Sequence, residues 1–242
     1  MRTLLGAISF LTILPVGGKV APPGRAAALF PLVGAMVGAL GGAIYFASLR
    51  AFPDSLAALF TVGFWTIITG VLHEDGLADA ADAFRAGRSQ EKTLAILRDS
   101  RIGTYGAVAI VLSFLLRWQA IEHLAGWPGI EIFIASQAVP RAAMVALGWV
   151  SRPAGAGLGF AFSSTLTTGA ALFAIAQGIL AALLCGLRPA IVIAGISYVT
   201  VRAARWYFYR RLGGVNGDCL GATEQILEIL VLVLFSCRAC SW

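Results

Sequence analysis

Charge is what this sequence has least of. Only 12% of its 242 residues are Asp, Glu, Lys or Arg, while 59% are hydrophobic. A soluble domain carries about 25% charged residues, so a water-soluble globular fold is excluded. Histidine and cysteine are also scarce, with two and four residues. Cys237-Arg-Ala-Cys240 has CxxC spacing but stands alone, with no second pair and no histidine nearby. It is read as inert thiols or an incidental disulfide, not as a zinc site. Low-complexity tracts and internal repeats are absent as well.

Apolar length is present instead. A helix needs about 20 apolar residues to cross the hydrocarbon core. Seven runs qualify: Ala28–Leu49, Ser55–Leu72, Gly103–Ile121, Ile130–Val150, Leu166–Leu184, Pro189–Tyr207 and Leu220–Ser236. They are too long for barrel strands and do not alternate. The expected fold is therefore all-α: a polytopic integral membrane bundle of about seven transmembrane helices, forming one membrane-embedded domain over residues 1–242. Met1–Gly18 has the apolar length of a signal-peptide core. It is read as a short interfacial or re-entrant helix ended by Pro15 and Gly17-Gly18.

The net charge of +6 points to the positive-inside bias and not to nucleic acid. Lys19, Arg25, Arg85, Arg88, Lys92, Arg98, Arg101, Arg152, Arg205, Arg210 and Arg211 fall on one side of a seven-span topology. That side is expected to be the cytoplasmic face of the inner membrane, and Arg188 is the exception. Trp118, Trp127, Trp149, Trp206, Tyr207 and Tyr209 sit near span ends, as an aromatic belt would.

Two polar segments, 73–106 and 202–228, interrupt this pattern. In the first, His73-Glu74-Asp75-Gly76-Leu77-Ala78-Asp79-Ala80-Ala81-Asp82 holds four of the chain's 12 acids. On a helix, Asp75, Asp79 and Asp82 share one face. Such a stripe is self-repelling unless a cation intervenes, and a hard divalent ion with oxygen ligands is the natural one. His73 is open to reading as a ligand, a base or an interfacial histidine. The segment Arg98-Asp99-Ser100-Arg101-Ile102-Gly103-Thr104-Tyr105-Gly106 places two arginines at a helix start. Arginine forks and backbone donors there suit phosphate.

In the second segment, Gly213, Gly214 and Gly217 permit a tight loop, and Asp218 heads a helix, where an acid suits the dipole. Glu224 and Glu228 follow at i, i+4 inside a span, where they face the bundle interior, a wet cavity, or Arg202 and Arg205 as partners. Arg141, also intramembrane, needs an acidic partner or an anionic substrate.

These blocks resemble the cobalamin synthase family, the adenosylcobinamide-GDP ribazoletransferases. The resemblance is carried by Phe10–Pro15, by Phe30-Pro31-Leu32-Val33-Gly34 with Gly38, by His73–Asp82, by Arg98–Gly106 and by Gly214–Ala222. Ala83 stands where the family usually has glycine, and Asn216 where threonine is common. The resemblance implies a phosphotransfer that joins adenosylcobinamide-GDP to α-ribazole or its 5′-phosphate and releases GMP. On this reading Asp75, Asp79, Asp82 and Asp218 bind Mg²⁺. Arg98 and Arg101 hold phosphate oxygens, with Asp99, Ser100, Arg141, Gly214 and Gly217 also on the substrate. Asp82, or alternatively Glu74, takes the proton of the ribose hydroxyl. Asp82→Asn is then expected to abolish turnover in a folded protein. The lipid bilayer is the remaining partner, and oligomeric state stays open. The main competing reading is an ion-coupled transporter using Arg141, Glu224 and Glu228. Another is a structural membrane subunit, which would tolerate neutralising the acidic stripe.

Overall fold

The computed structural model describes residues 1–87, 89–99, 101–124, 129–155 and 157–237. Arg88, Ser100, Trp127 and Cys240, all named above, lie outside the described residues. Among the described residues there is no β-strand, only an isolated bridge between Pro153 and Val215. Among the described residues five helices are long and apolar enough to cross a membrane, or up to seven if each of two sharply bent pairs is one span. The chain is a polytopic helical membrane protein.

α1 (Arg2–Leu11) is the short N-terminal helix, about 15 Å long and too short to cross the core. α2 (Pro23–Ala26) runs through a 3₁₀ turn into α3 (Phe30–Ser48). The most buried span is α8 (Glu131–Trp149), with 83% of its apolar window covered. α3 lies against it through a small-residue ladder. A Cβ on Gly34 would sit 2.4 Å from Gln137 O, and one on Gly38 would sit 2.2 Å from Phe133 O. Without water to drive association, such close backbone approach is how membrane helices gain packing.

α4 (Asp54–Ile68) and α5 (Leu72–Ala86) meet at 86°. Hydropathy reads Ser55–Leu72 as one span, but Gly70 adopts φ 62°. Its N–H donates to Ile67 O, and the Val71 N–H donates to Thr66 O, which is a Schellman closure. Val71, β-branched, is also left-handed at φ 63°, a conformation such residues avoid. The acid-rich segment is therefore a helix turned across the bundle, not a loop extending from it.

α6 (Gln90–Ile96) is N-capped by Ser89, whose side chain accepts from the Lys92 N–H. α7 (Thr104–Glu122) returns through the bundle. α9 (Leu158–Thr165) and α10 (Thr168–Leu184) form the second bent pair, at 104°. α11 (Leu187–Leu212) ends at left-handed Gly213, and α12 (Gly217–Ser236) closes the described chain. The bridge between Ala154 N–H and Val215 O, and between Val215 N–H and Arg152 O, ties the residues after α8 to the α11–α12 turn. Gly214 belongs to this joint: a Cβ there would meet Arg152 O at 2.7 Å.

Candidate active site

α5 and α12 touch backbone to backbone. A Cβ on Gly76 would lie 3.1 Å from Asp218 O and 3.2 Å from Gly221 Cα, and one on Gly221 would lie 3.4 Å from Gly76 Cα. That approach sets Asp75 of α5 beside Asp218 of α12. Both line a cavity of about 310 Å³, together with His73, Arg98, Asn216 and Gly217. Asp79, half-buried on the same stripe, lies within the electrostatic field of Asp75, Asp218 and Asp82.

Asp218 is not the cap of its helix. Asn216 is, accepting from the Cys219 N–H at 3.0 Å, while Asn216 Nδ2 donates to Asp218 Oδ2 at 2.7 Å. The asparagine at the family's threonine position thus performs the capping, and the Asp218 carboxylate faces the cavity. First-turn amides of α12 lie at the same wall, where an anion is favoured.

Asp82 is 8% exposed, and each of its oxygens accepts one hydrogen bond. Gly103 N–H donates to Oδ2 at 2.7 Å and Gly106 N–H to Oδ1 at 2.9 Å. A Cβ on Gly106 would meet Asp82 Oδ2 at 2.4 Å. The carboxylate therefore satisfies the orphan donors at the start of α7, and each oxygen keeps a further lone pair. Asp82→Asn, which replaces one acceptor by a donor, is expected to destabilise this joint by about 1–2 kcal/mol. A lowered melting temperature in detergent would register it; an unchanged melt with lost turnover would return Asp82 to the chemistry.

Glu74 is 1% exposed and accepts at Oε1 from Arg117 Nη1 at 3.0 Å and Thr66 Oγ1 at 3.2 Å, while its buried Oε2 has no hydrogen-bond partner among the described residues. Arg117 also lies 3.4 Å from Glu228. Arg141 Nη1 sits 2.8 Å from Glu224 Oε1 and donates to Gln137 O and Oε1 at 2.7 and 2.9 Å. Gln225 Nε2 bridges Glu224 and Glu228 at 3.3 and 3.4 Å. The intramembrane charges thus close on one another, and among the described residues neither Arg202 nor Arg205 is a partner. The sequence signal for Arg117 is a guanidinium between Leu116 and Trp118 in an apolar span.

His73 joins the two regions. Its Nδ1 lies 3.2 Å from Glu224 Oε2, and its buried Nε2 has no hydrogen-bond partner among the described residues. With Nδ1–H donated to Glu224, Nε2 carries the lone pair.

Arg101 is folded back onto Asp99, Nη2 to Oδ2 at 2.7 Å and Nε to Oδ1 at 3.0 Å. The hydrogen bonds from Arg101 hold the exposed Asp99 carboxyl below the usual carboxylate range and raise Arg101 in return. Of the two arginines, Arg98 is the one at the cavity.

The donor set for a metal is all hard oxygen. Among the described residues no three His, Cys, Asp or Glu side chains are gathered closely enough to hold an ion by themselves. Mg²⁺ does not require that, because it usually takes one or two carboxylates and completes its shell with water and substrate phosphate. Asp75 and Asp218, which line one cavity, fit that use.

Residues 3–236 match the family described as cobalamin-5-phosphate synthase. An adenosylcobinamide-GDP ribazoletransferase of Ralstonia pickettii is 37% identical, over 96% of this chain and 93% of its own length. Bradyrhizobium diazoefficiens has one at 40%, over 94% and 90%. Another, from Shewanella piezotolerans, is 32% identical over 100% of this chain and 97% of its own length. No solved structure matches. The intramembrane acids that suggested a transporter are paired in the core, and the match extends across nearly the whole chain: it belongs to the cobalamin-5-phosphate synthase family.

Proposed function

We propose that this protein joins adenosylcobinamide-GDP to α-ribazole or α-ribazole 5′-phosphate, releasing GMP and giving adenosylcobalamin or its 5′-phosphate. The observation that carries this reading is the Gly76–Gly221 contact, because it sets carboxylates of two helices and Arg98 around one cavity. A pyrophosphate needs charge neutralisation and in-line positioning more than covalent help. Asp75 and Asp218 would hold Mg²⁺, with the charge of Asp79 beside them, and the ion would supply Lewis-acid neutralisation of phosphate. Arg98 binds phosphate oxygens, and the first amides of α12 orient them.

The ribose hydroxyl attacks the phosphorus that carries the cobinamide arm. A new P–O bond forms, the bond to the GMP oxygen breaks, and the hydroxyl proton passes to His73 Nε2. Glu224 fixes the imidazole in the tautomer that accepts it. Asp82 positions residues 103–106 against α5. On this account the protein works as a multi-pass enzyme of the inner membrane, with the cavity opening to the cytoplasm.

The reading is tested by His73→Gln. It should lower kcat by about 10²–10⁴-fold, the usual worth of a positioned base, with KM for adenosylcobinamide-GDP little changed. Cobalamin and GMP should appear one to one in the unmodified protein. Full turnover in His73→Gln would remove the imidazole from the mechanism, and GMP without cobalamin would overturn the transfer.

A further inference from the structure

The arginines of α11 have lost the partners their sequence offered. Glu224 and Glu228 are taken by Arg141 and Arg117. Among the described residues no carboxylate lies within ion-pair distance of Arg202, Arg205 or Arg210. These three cations line a recess of about 330 Å³ with Trp206 and Tyr209. Arg205 stacks 4.8 Å from the Tyr209 ring and Arg210 4.3 Å from Trp206. The Arg205 Nε is buried without a hydrogen-bond partner.

A second recess, of about 440 Å³, lies between α8, α10 and α11. Its wall is apolar, including Ala142, Ala146, Ile179 and Ala194, and it ends at Arg202, which it shares with the basic recess. Along α11 it runs from Ala190 to Arg202, about 18 Å at 1.5 Å per residue. That is roughly the depth of one leaflet, half of the ~30 Å hydrocarbon core. α11 is also the least covered span, with 17% of its apolar window buried. At 26 residues it is about 39 Å long and outreaches the core, so its arginine-bearing end stands at headgroup level.

We propose that this surface binds an anionic phospholipid, its phosphate on Arg202, Arg205 and Arg210 and one acyl chain in the adjoining trough. The charge excess selects an anionic headgroup over a zwitterionic one. The contiguous apolar trough selects a lipid over a free phosphate. The site shares no lining residue with the candidate active-site cavity, so it is distinct from substrate binding.

The test is lipid retention by protein purified in detergent and exchanged into mixed micelles of phosphatidylglycerol or phosphatidylcholine, counted by native mass spectrometry. Phosphatidylglycerol should be held about 100-fold more tightly, as three interfacial arginines allow. Arg202→Gln/Arg205→Gln/Arg210→Gln should abolish the preference. Ala194→Trp, which fills the trough and keeps the arginines, should weaken retention, and inorganic phosphate should not displace the lipid. Equal retention of the two lipids by the unmodified protein would overturn the proposal. Displacement by phosphate or GMP, with Ala194→Trp behaving as the unmodified protein, would assign the recess to a free anion. The lipid comparison and Ala194→Trp decide even where the triple variant does not fold.

Discussion

Asp218→Asn is expected to lower turnover about 10³-fold, the scale on which removing one preorganised electrostatic group acts, while the protein stays folded. The substitution keeps the side-chain volume and one carbonyl oxygen for Asn216 Nδ2. Loss of the acid from the first turn of α12 costs about 0.3–1 kcal/mol, too little to unfold a membrane bundle. What disappears is the only carboxylate that α12 brings to the cavity among the described residues. Turnover measured beside the thermal melt separates the two effects. A melt within a few degrees of the unmodified protein, with GMP release at background, supports a catalytic Asp218. Substantial GMP release would take Asp218 out of the site.

The largest loss of stability is expected from Arg117→Leu. Arg117 is 1% exposed and lies between Glu74 at 3.0 Å and Glu228 at 3.4 Å, with its guanidinium 4.8 Å from the Phe114 ring. Removing it leaves two carboxylates uncompensated in a nonpolar interior. Breaking a buried pair in this way costs about 3–5 kcal/mol. Detergent-purified Arg117→Leu should aggregate or melt far below the unmodified protein. Arg117→Leu/Glu74→Gln/Glu228→Gln, which neutralises the stranded acids, should recover much of the melt. If the single variant melts normally, the network is not what holds α5, α7 and α12 together.

The spans were legible because hydropathy over about 20 residues reports burial in lipid directly. The helical phase of Asp75 and Asp79 was legible for the same kind of reason: a repeat of 3.6 needs no tertiary information. Three things were not. The 86° turn between α4 and α5 rests on left-handed Gly70 and Val71, and hydropathy is blind to direction. The role of Asp82 depends on amides at Gly103 and Gly106, on a different helix. Its position on the acidic stripe carries no sign of these amides. The pairing of Arg141 with Glu224, and of Arg117 with Glu74 and Glu228, required knowing that α5, α7, α8 and α12 meet. Sequence spacing offered Arg202 and Arg205 instead, because they are near in the chain.

The measurement that bears most directly on the account is GMP release by the purified protein in liposomes. Adenosylcobinamide-GDP and α-ribazole 5′-phosphate are supplied with Mg²⁺ or with chelator, and Asp75→Asn and Asp218→Asn run alongside. The account predicts Mg²⁺-dependent GMP, matched by a cobalamin product, and loss of both in either variant. GMP release unaffected by chelator and by both substitutions would contradict it, because the carboxylates that α5 and α12 bring to one cavity would then have no part in the transfer.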